Sequence, residues 1–165
     1  MLFVRQHTSE DIHLYRLMEA WRQNTKIDFD FFDAHDLFIS RDTSQRETIK
    51  RNLRERMKNA KQVVLIGSPD ARRKGGDGSS FLAHEIELIM EFDLPVVVAN
   101  KGGSRFIREE FIPAPFINAD YYTISVSLQP AIIQLALDKY VEVFNSKTKK
   151  GPHYYLGSTY DSLGI

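Results

Sequence analysis

Residues 62–68 read Gln-Val-Val-Leu-Ile-Gly-Ser, and residues 95–100 read Pro-Val-Val-Val-Ala-Asn. Each stretch is a continuous apolar run of strand length, which is typical of a parallel strand that is buried on both faces. Between them, apolar residues recur at helical spacing from about Ser79 to Phe92. This strand–helix–strand order predicts a parallel sheet with helices on both faces.

The same alternation continues outward in both directions. Further strands are predicted at 2–4, 27–33 and 121–126, and further helices at 11–24, 44–57 and 128–144. Residues 72–78 are rich in Gly, Lys and Arg and are interpreted as a flexible surface loop. The predicted fold is therefore α/β, a flavodoxin-like three-layer α/β/α arrangement with a five-stranded parallel sheet. It forms one domain over 1–145, followed by a C-terminal tail, 146–165, which carries no periodicity.

The amino-acid composition indicates which classes of partner the protein binds and which cellular compartment it occupies. Lys plus Arg and Asp plus Glu are each 22, so no excess of basic charge favours nucleic acid. There is no cysteine, which excludes a disulfide scaffold and a thiolate nucleophile. No apolar run approaches the length of a secretion signal or a membrane span. We expect a cytoplasmic protein that binds neither membranes nor nucleic acid.

Glu85 does not fit the pattern of its helix. At about 100° per residue, it falls inside the apolar arc of the helix, between Phe92 and Ile89. Glu87 and Glu91 fall on the opposite, polar side. An isolated carboxylate among apolar side chains costs several kcal/mol unless it is paired, protonated or open to a cavity. We therefore expect Glu85 to line a site.

Two interpretations of Glu85 remain open. In the structural one, the carboxylate makes a buried ion pair, for example with Arg5 or Arg41, or caps a loop backbone. In the functional one, the first turns of its helix lie near the carboxyl ends of the strands, where doubly wound sheets bind ligands. A partly buried carboxylate at that place is a candidate for a functional site.

Other motifs are weaker. The segment 74–80 precedes a helix and could bind an anion through backbone N–H groups, but it lacks the spacing of a phosphate-binding loop. The five histidines show no metal-binding spacing, so no metal is predicted. Ser68 lacks the surroundings of a nucleophile elbow, although its hydroxyl could donate a hydrogen bond to a ligand.

Several of these segments together resemble a known family. The strand at 2–4, the strand at 63–68, the helix segment Phe-Leu-Ala-His-Glu-Ile-Glu-Leu at 81–88 and the strand at 94–98 are similar to those of TIR domains. Within TIR proteins, the chain most resembles the bacterial Thoeris-type (ThsB-like) antiphage sensors. The similarity spans about 2–144. Phe81 occupies a position that is often Trp in the family, and the Gly-rich insertion 74–78 is a second departure.

The resemblance implies an activity and a set of site residues. Enzymatic TIR domains use the glutamate of this motif to cleave NAD, so the resemblance gives that role to Glu85, with NAD as substrate and no cofactor. Phe81 would either stack on a ring of the substrate or fill the core. The other residues that would surround NAD are Arg5, Gln6, His7, Asp33, Arg41 and Ser68, with Arg5 or Arg41 facing the pyrophosphate.

The resemblance also implies partners. Active TIR enzymes assemble, so a homo-oligomer is expected, and a Thoeris-type enzyme releases an ADP-ribose-derived signal that activates a separate effector. Two alternatives remain: a non-catalytic TIR interaction module, and an enzyme like the nucleoside 2-deoxyribosyltransferases, which share this fold and also use a carboxylate. Fold alone does not decide among them.

Overall fold

A parallel sheet organises the chain. The computed structural model describes residues 2–5, 12–25, 32–33 and 46–165. Within these ranges the sheet has the order β2-β1-β3-β4-β5-β6, and every neighbouring pair is parallel. The strands are Leu2–Arg5 (β1), Phe32–Asp33 (β2), Gln62–Gly67 (β3), Val96–Asn100 (β4), Thr123–Ser127 (β5) and Pro152–Tyr154 (β6).

The α/β class and the parallel sheet agree with the prediction. The order of the first five strands is that of flavodoxin-like sheets. The strand count differs from the predicted five, because the C-terminal segment adds β6 beside β5. Of the strand predicted at 27–33, β2 is the described part, and the rest lies outside the described residues.

Helices cover both faces of the sheet and give it two cores. They are Ile12–Gln23 (α1), Arg46–Met57 (α2), Pro69–Gly75 (α3), Phe81–Glu91 (α4), Ala114–Asn118 (α5), Pro130–Asn145 (α6) and Gly157–Ser162 (α7), with a 3-10 turn at Glu109–Phe111. Side chains of α1, α6 and α7 pack on one face, against Val64, Val97 and Ile124. Side chains of α2, α4 and α5 pack on the other, against Leu65 and Val98. This alternation along each strand produces the three layers.

The predicted loop at 72–78 is wrong for its first four residues, because α3 extends to Gly75. Three local features start and hold this helix. The hydroxyl of Ser68 accepts a hydrogen bond from the N–H of Ala71 at 3.2 Å, and Pro69 occupies the first helical position. The guanidinium of Arg72 donates to the carbonyl of Ile112 at 2.9 Å, which fastens α3 to the segment before α5.

Gly75 is required by this packing. A Cβ atom there would lie 2.7 Å from Cβ and 2.9 Å from Cγ of Pro113, a rigid ring. We expect Gly75→Ala to lower the free energy of unfolding by about 1–3 kcal/mol, because overpacking outweighs the better helix propensity of alanine. Urea denaturation measures the change. Gly157→Ala is the control, because nothing lies within 4 Å of its Cβ position. Equal stability of the two variants would contradict the packing argument.

The C-terminal segment belongs to the folded body. Its β6 pairs with β5, and Tyr160 of α7 is fully buried in the core shared with α1 and α6. The amide of Ser127 donates to the hydroxyl of Tyr160 at 3.1 Å. In the described ranges, no helix has both the length and the apolar character needed to cross a membrane.

Candidate functional site

Glu85 lies on the buried face of α4, as the helical spacing predicts. It is 1% exposed, and Leu82, Ile86 and Ile89 around it are also buried. Glu87, on the opposite side, has a side chain that is 67% exposed. Glu85 takes part in at least one hydrogen bond or electrostatic interaction within the folded chain. A buried carboxylate requires such compensation, since desolvation penalises its charge.

The connections of α4 place Glu85 near the carboxyl ends of the strands. The helix ends in a tight turn that leads into the amino end of β4, so its first residue lies at the opposite edge of the sheet. Glu85 is four residues after Phe81, which is about 6 Å along the axis at 1.5 Å per residue. In a parallel α/β sheet, this edge is where ligands bind.

The helix α2 packs beside α4. The guanidinium of Arg46 lies 6.0 Å from the ring centre of Phe81, near the start of both helices. The guanidinium of Arg54 lies 5.1 Å from the ring centre of Phe92 and donates to the carboxylate of Glu91, near the end of both. The two helices therefore run in the same direction. On the helical wheel, Glu85 falls between the side that faces α2 and the side that faces the sheet.

A capped turn fixes the start of α4. The hydroxyl of Ser80 accepts from the N–H of Ala83 at 3.0 Å, as the helix N-cap. One carboxylate oxygen of Asp77 accepts from the N–H groups of Ser79 at 2.8 Å and Ser80 at 2.7 Å. These backbone donors, first that of Ser80, hold the pKa of Asp77 below its ordinary value of 3.8. The turn thereby sets the position of the helix that carries Glu85.

The lowered pKa of Asp77 predicts an acid-dependent contribution to stability. The ionised carboxylate stabilises the fold fully above its ordinary pKa, and this contribution is lost as the pH falls through the lowered pKa. We expect Asp77→Ala to be less stable than the wild type at pH 7, with the difference shrinking as the pH falls below 3.8 and through the lowered pKa of Asp77. Urea denaturation at pH 7 and at a series of acidic pH values checks this. Asp77→Asn keeps an acceptor that does not titrate. A pH-independent deficit in Asp77→Ala would contradict the assignment.

The structure describes only some of the other predicted site residues. Phe81 is half-buried, with Arg46 at its ring. Ser68 is buried, and its hydroxyl caps α3, a role that the spacing around it did not indicate. The backbones of Arg5 and Asp33 lie in β1 and β2, but their side chains are outside the described part of the structure. The remaining three predicted residues also lie outside it: Gln6, His7 and Arg41.

The structure adds buried polar residues that the sequence reasoning missed. Asn100 ends β4, Ser127 ends β5, and the two are register partners with no exposed surface. A pattern in the sequence could have indicated these buried polar residues. Polar residues at 123, 125 and 127 alternate through a strand that is otherwise apolar, and Asn100 closes an apolar run. These groups lie at the same edge of the sheet as the start of α4.

A comparison with known protein families shows to which family the chain belongs. Residues 3–105 match the family described as Thoeris protein ThsB, TIR-like domain, and this range is more than half of the chain. The chain belongs to this family. The ThsB TIR-like match contains β1, α4 with Glu85, and β4, and it ends before α5. Membership in the ThsB family makes the chain a TIR-type defence protein. No curated protein matches the chain.

Proposed function

We propose that this ThsB-type domain cleaves the nicotinamide–ribose bond of NAD and that Glu85 is its catalytic carboxylate. The observation that carries the proposal is the burial of Glu85, at 1% exposure, on the apolar face of α4 near the carboxyl edge of the sheet. The family match over residues 3–105 supports it, because that match contains the glutamate and both strands that flank its helix.

The chemistry needs little more than one carboxylate. The bond between the anomeric carbon and the ring nitrogen breaks, and its electron pair leaves with nicotinamide, which departs as a neutral molecule. No general acid is needed. Glu85 would accept hydrogen bonds from the ribose hydroxyls and stabilise the positive charge that develops on the anomeric carbon, as carboxylates do in glycosidases. Water, or a hydroxyl or amine of the substrate, then forms a bond to that carbon and releases its proton to solvent.

The supporting roles follow the same proposal. Arg5 or Arg41 would face the pyrophosphate with bidentate hydrogen bonds, and Gln6, His7 and Asp33 would line the ribose. Phe81 would either stack on a ring of the substrate or fill the core. Ser68 is buried directly after β3, where its hydroxyl accepts the cap hydrogen bond of α3, and it would also contact the substrate. NAD is the substrate, and no cofactor takes part in this mechanism.

Defence signalling sets the context of the reaction. We propose a cytoplasmic homo-oligomer whose product is an ADP-ribose derivative, free, cyclic or conjugated, that activates a separate effector. Neither a membrane nor a nucleic acid takes part. These proposals rest on the membership of the chain in the ThsB TIR-like family.

One observation favours a non-catalytic interaction module instead. Glu85 has almost no exposed surface and has a partner in the fold, which also suits a structural carboxylate. In that case Glu85 would hold α4 in place, and NAD would not be consumed.

The test follows nicotinamide release by chromatography. Purified protein is incubated with NAD, with and without lysate of phage-infected cells, and in parallel with a purine 2′-deoxynucleoside plus a free base. We expect nicotinamide to appear, with lysate as the trigger if the resting protein is inactive. Exchange of the base without loss of NAD would establish a deoxyribosyltransferase. Consumption of neither substrate in the presence of lysate would support the interaction module.

A further inference from the structure

Three neighbouring strands end in one row on the face of the sheet that α4 covers. Gly67 of β3 pairs with Asn100 of β4, which pairs with Ser127 of β5. The glycine leaves room in this row, because a Cβ atom on it would lie 3.1 Å from Oδ1 of Asn100. Ser125 lies two residues before Ser127, on the same face. Asn100, Ser125 and Ser127 have no exposed surface.

Three side-chain oxygens in and beside this row lack hydrogen-bond partners among the described residues. Within the part of the chain that the structure describes, Oδ1 of Asn100 and the hydroxyls of Ser125 and Ser127 make no hydrogen bond. A buried polar group left unsatisfied costs about 1–3 kcal/mol, so folded proteins usually complete such groups with a ligand or an ordered water. Two of them at the ligand-binding edge of a parallel sheet, with Ser125 two residues further in on the same face, indicate a site.

A glycine-containing segment of the chain lies beside the row, at the strand ends. The amide nitrogen of Asn100 donates to the carbonyls of Ser104 and Phe106, both at 3.0 Å, and so fastens residues 101–107 beside the strand ends. Near its start the segment contains Gly102 and Gly103, at φ values of +83° and +78°, with no atom within 4 Å of either Cβ position. Turning the segment about these glycines would break both hydrogen bonds, together with the contacts of Arg105 with the Tyr160 ring and of Phe106 with the Tyr154 ring.

The chemistry of the row selects a ligand. Once residues 101–107 turn aside, the side-chain amide of Asn100 offers an accepting Oδ1 and a donating Nδ2. The serine hydroxyls both donate and accept. A vicinal diol, which also does both, matches this set. Since neighbouring strands lie about 4.8 Å apart, the row spans about 10 Å along the edge from β3 to β5.

We propose that Asn100, Ser125 and Ser127 bind the ribose of the ADP half of the dinucleotide, and of the ADP-ribose product, when residues 101–107 turn aside. The identity of the ligand rests on the proposed function, while the polar site itself does not. The site would bind the end of the substrate that is distant from the bond that Glu85 cleaves.

The test is calorimetric titration of the full chain with ADP-ribose. Ser127→Ala is expected to raise the Kd about tenfold, the equivalent of one lost hydrogen bond of about 1.4 kcal/mol. Its stability without ligand should stay the same or rise, because an unsatisfied hydroxyl has been removed. The matched control is Thr123→Val, which removes an equally buried and unpartnered hydroxyl from the far end of the same strand face.

Three outcomes would overturn the inference: no binding of ADP-ribose to the wild type, an unchanged Kd for Ser127→Ala, or an equal loss in both variants. A drop in the stability of unliganded Ser127→Ala would also overturn it, because the hydroxyl would then be completed within the fold. The proposed function fails separately. If NAD is not cleaved but ADP-ribose binds through Ser127, the site stands without the reaction.

Discussion

Replacing Glu85 by glutamine is expected to lower the rate of nicotinamide release by about 100- to 1,000-fold, the usual effect of removing one preorganised electrostatic contact to a transition state. Glutamine keeps the size and most of the hydrogen-bonding capacity of the side chain but removes its negative charge. The charge matters because positive charge develops on the anomeric carbon as nicotinamide leaves. The rates are measured by chromatography in the triggered state.

Two comparisons separate catalysis from folding. Glu87→Gln removes a charge from the exposed side of the same helix and should keep the wild-type rate. The free energy of unfolding of Glu85→Gln should lie within about 1.5 kcal/mol of the wild type, because the amide can still form hydrogen bonds. A loss of about 3–5 kcal/mol would instead identify Glu85 as half of a buried ion pair. Unchanged nicotinamide release by Glu85→Gln would contradict its catalytic role.

Replacing Tyr160 by alanine is expected to lower the free energy of unfolding by about 3–5 kcal/mol, the range for emptying a large buried aromatic site. The side chain is fully buried, its hydroxyl accepts from the amide of Ser127, and the guanidinium of Arg105 lies 4.5 Å from its ring centre. Urea denaturation followed through Trp21 fluorescence measures the loss.

The C-terminal segment supplies its own control. Tyr154→Ala removes a ring that is 41% exposed in β6 and should cost less than about 1 kcal/mol. A mild effect of Tyr160→Ala, similar to that of Tyr154→Ala, would mean that the segment after residue 145 is a dispensable tail. The burial of Tyr160 predicts the opposite, that the segment completes the core under α6.

Much of the fold could be predicted because the hydrophobic pattern is strong in the buried strands and in the helices that pack on them. The runs at 62–68 and 95–100 contain β3 and β4, and the helices α1, α2, α4 and α6 lie within one or two residues of their predicted bounds. The helix α3 was missed because its sequence is short, charged and followed by glycines. Its stability comes from the Ser68 cap and from Arg72, which bonds a carbonyl forty residues away.

The C-terminal elements could not be predicted for a related reason. The strand β6 has only three residues and starts with proline, and α7 contains glycine, serine and threonine, which are weak helix formers. Both exist because β5 and the core offer partners, and a local pattern does not report that. The burial of Glu85, by contrast, follows from helical spacing alone, since the apolar arc of α4 includes position 85.

The central claim is that the carboxylate of Glu85 faces the substrate. It is tested most directly by NMR of protein labelled with ¹³C at the glutamate carboxyl carbons, titrated with a carbocyclic NAD analogue in which carbon replaces the ring oxygen of the nicotinamide ribose. The resonance of Glu85 is identified by its absence from Glu85→Gln. We predict a saturable shift of that resonance as the analogue binds. Binding of the analogue with the Glu85 resonance unmoved would contradict the account.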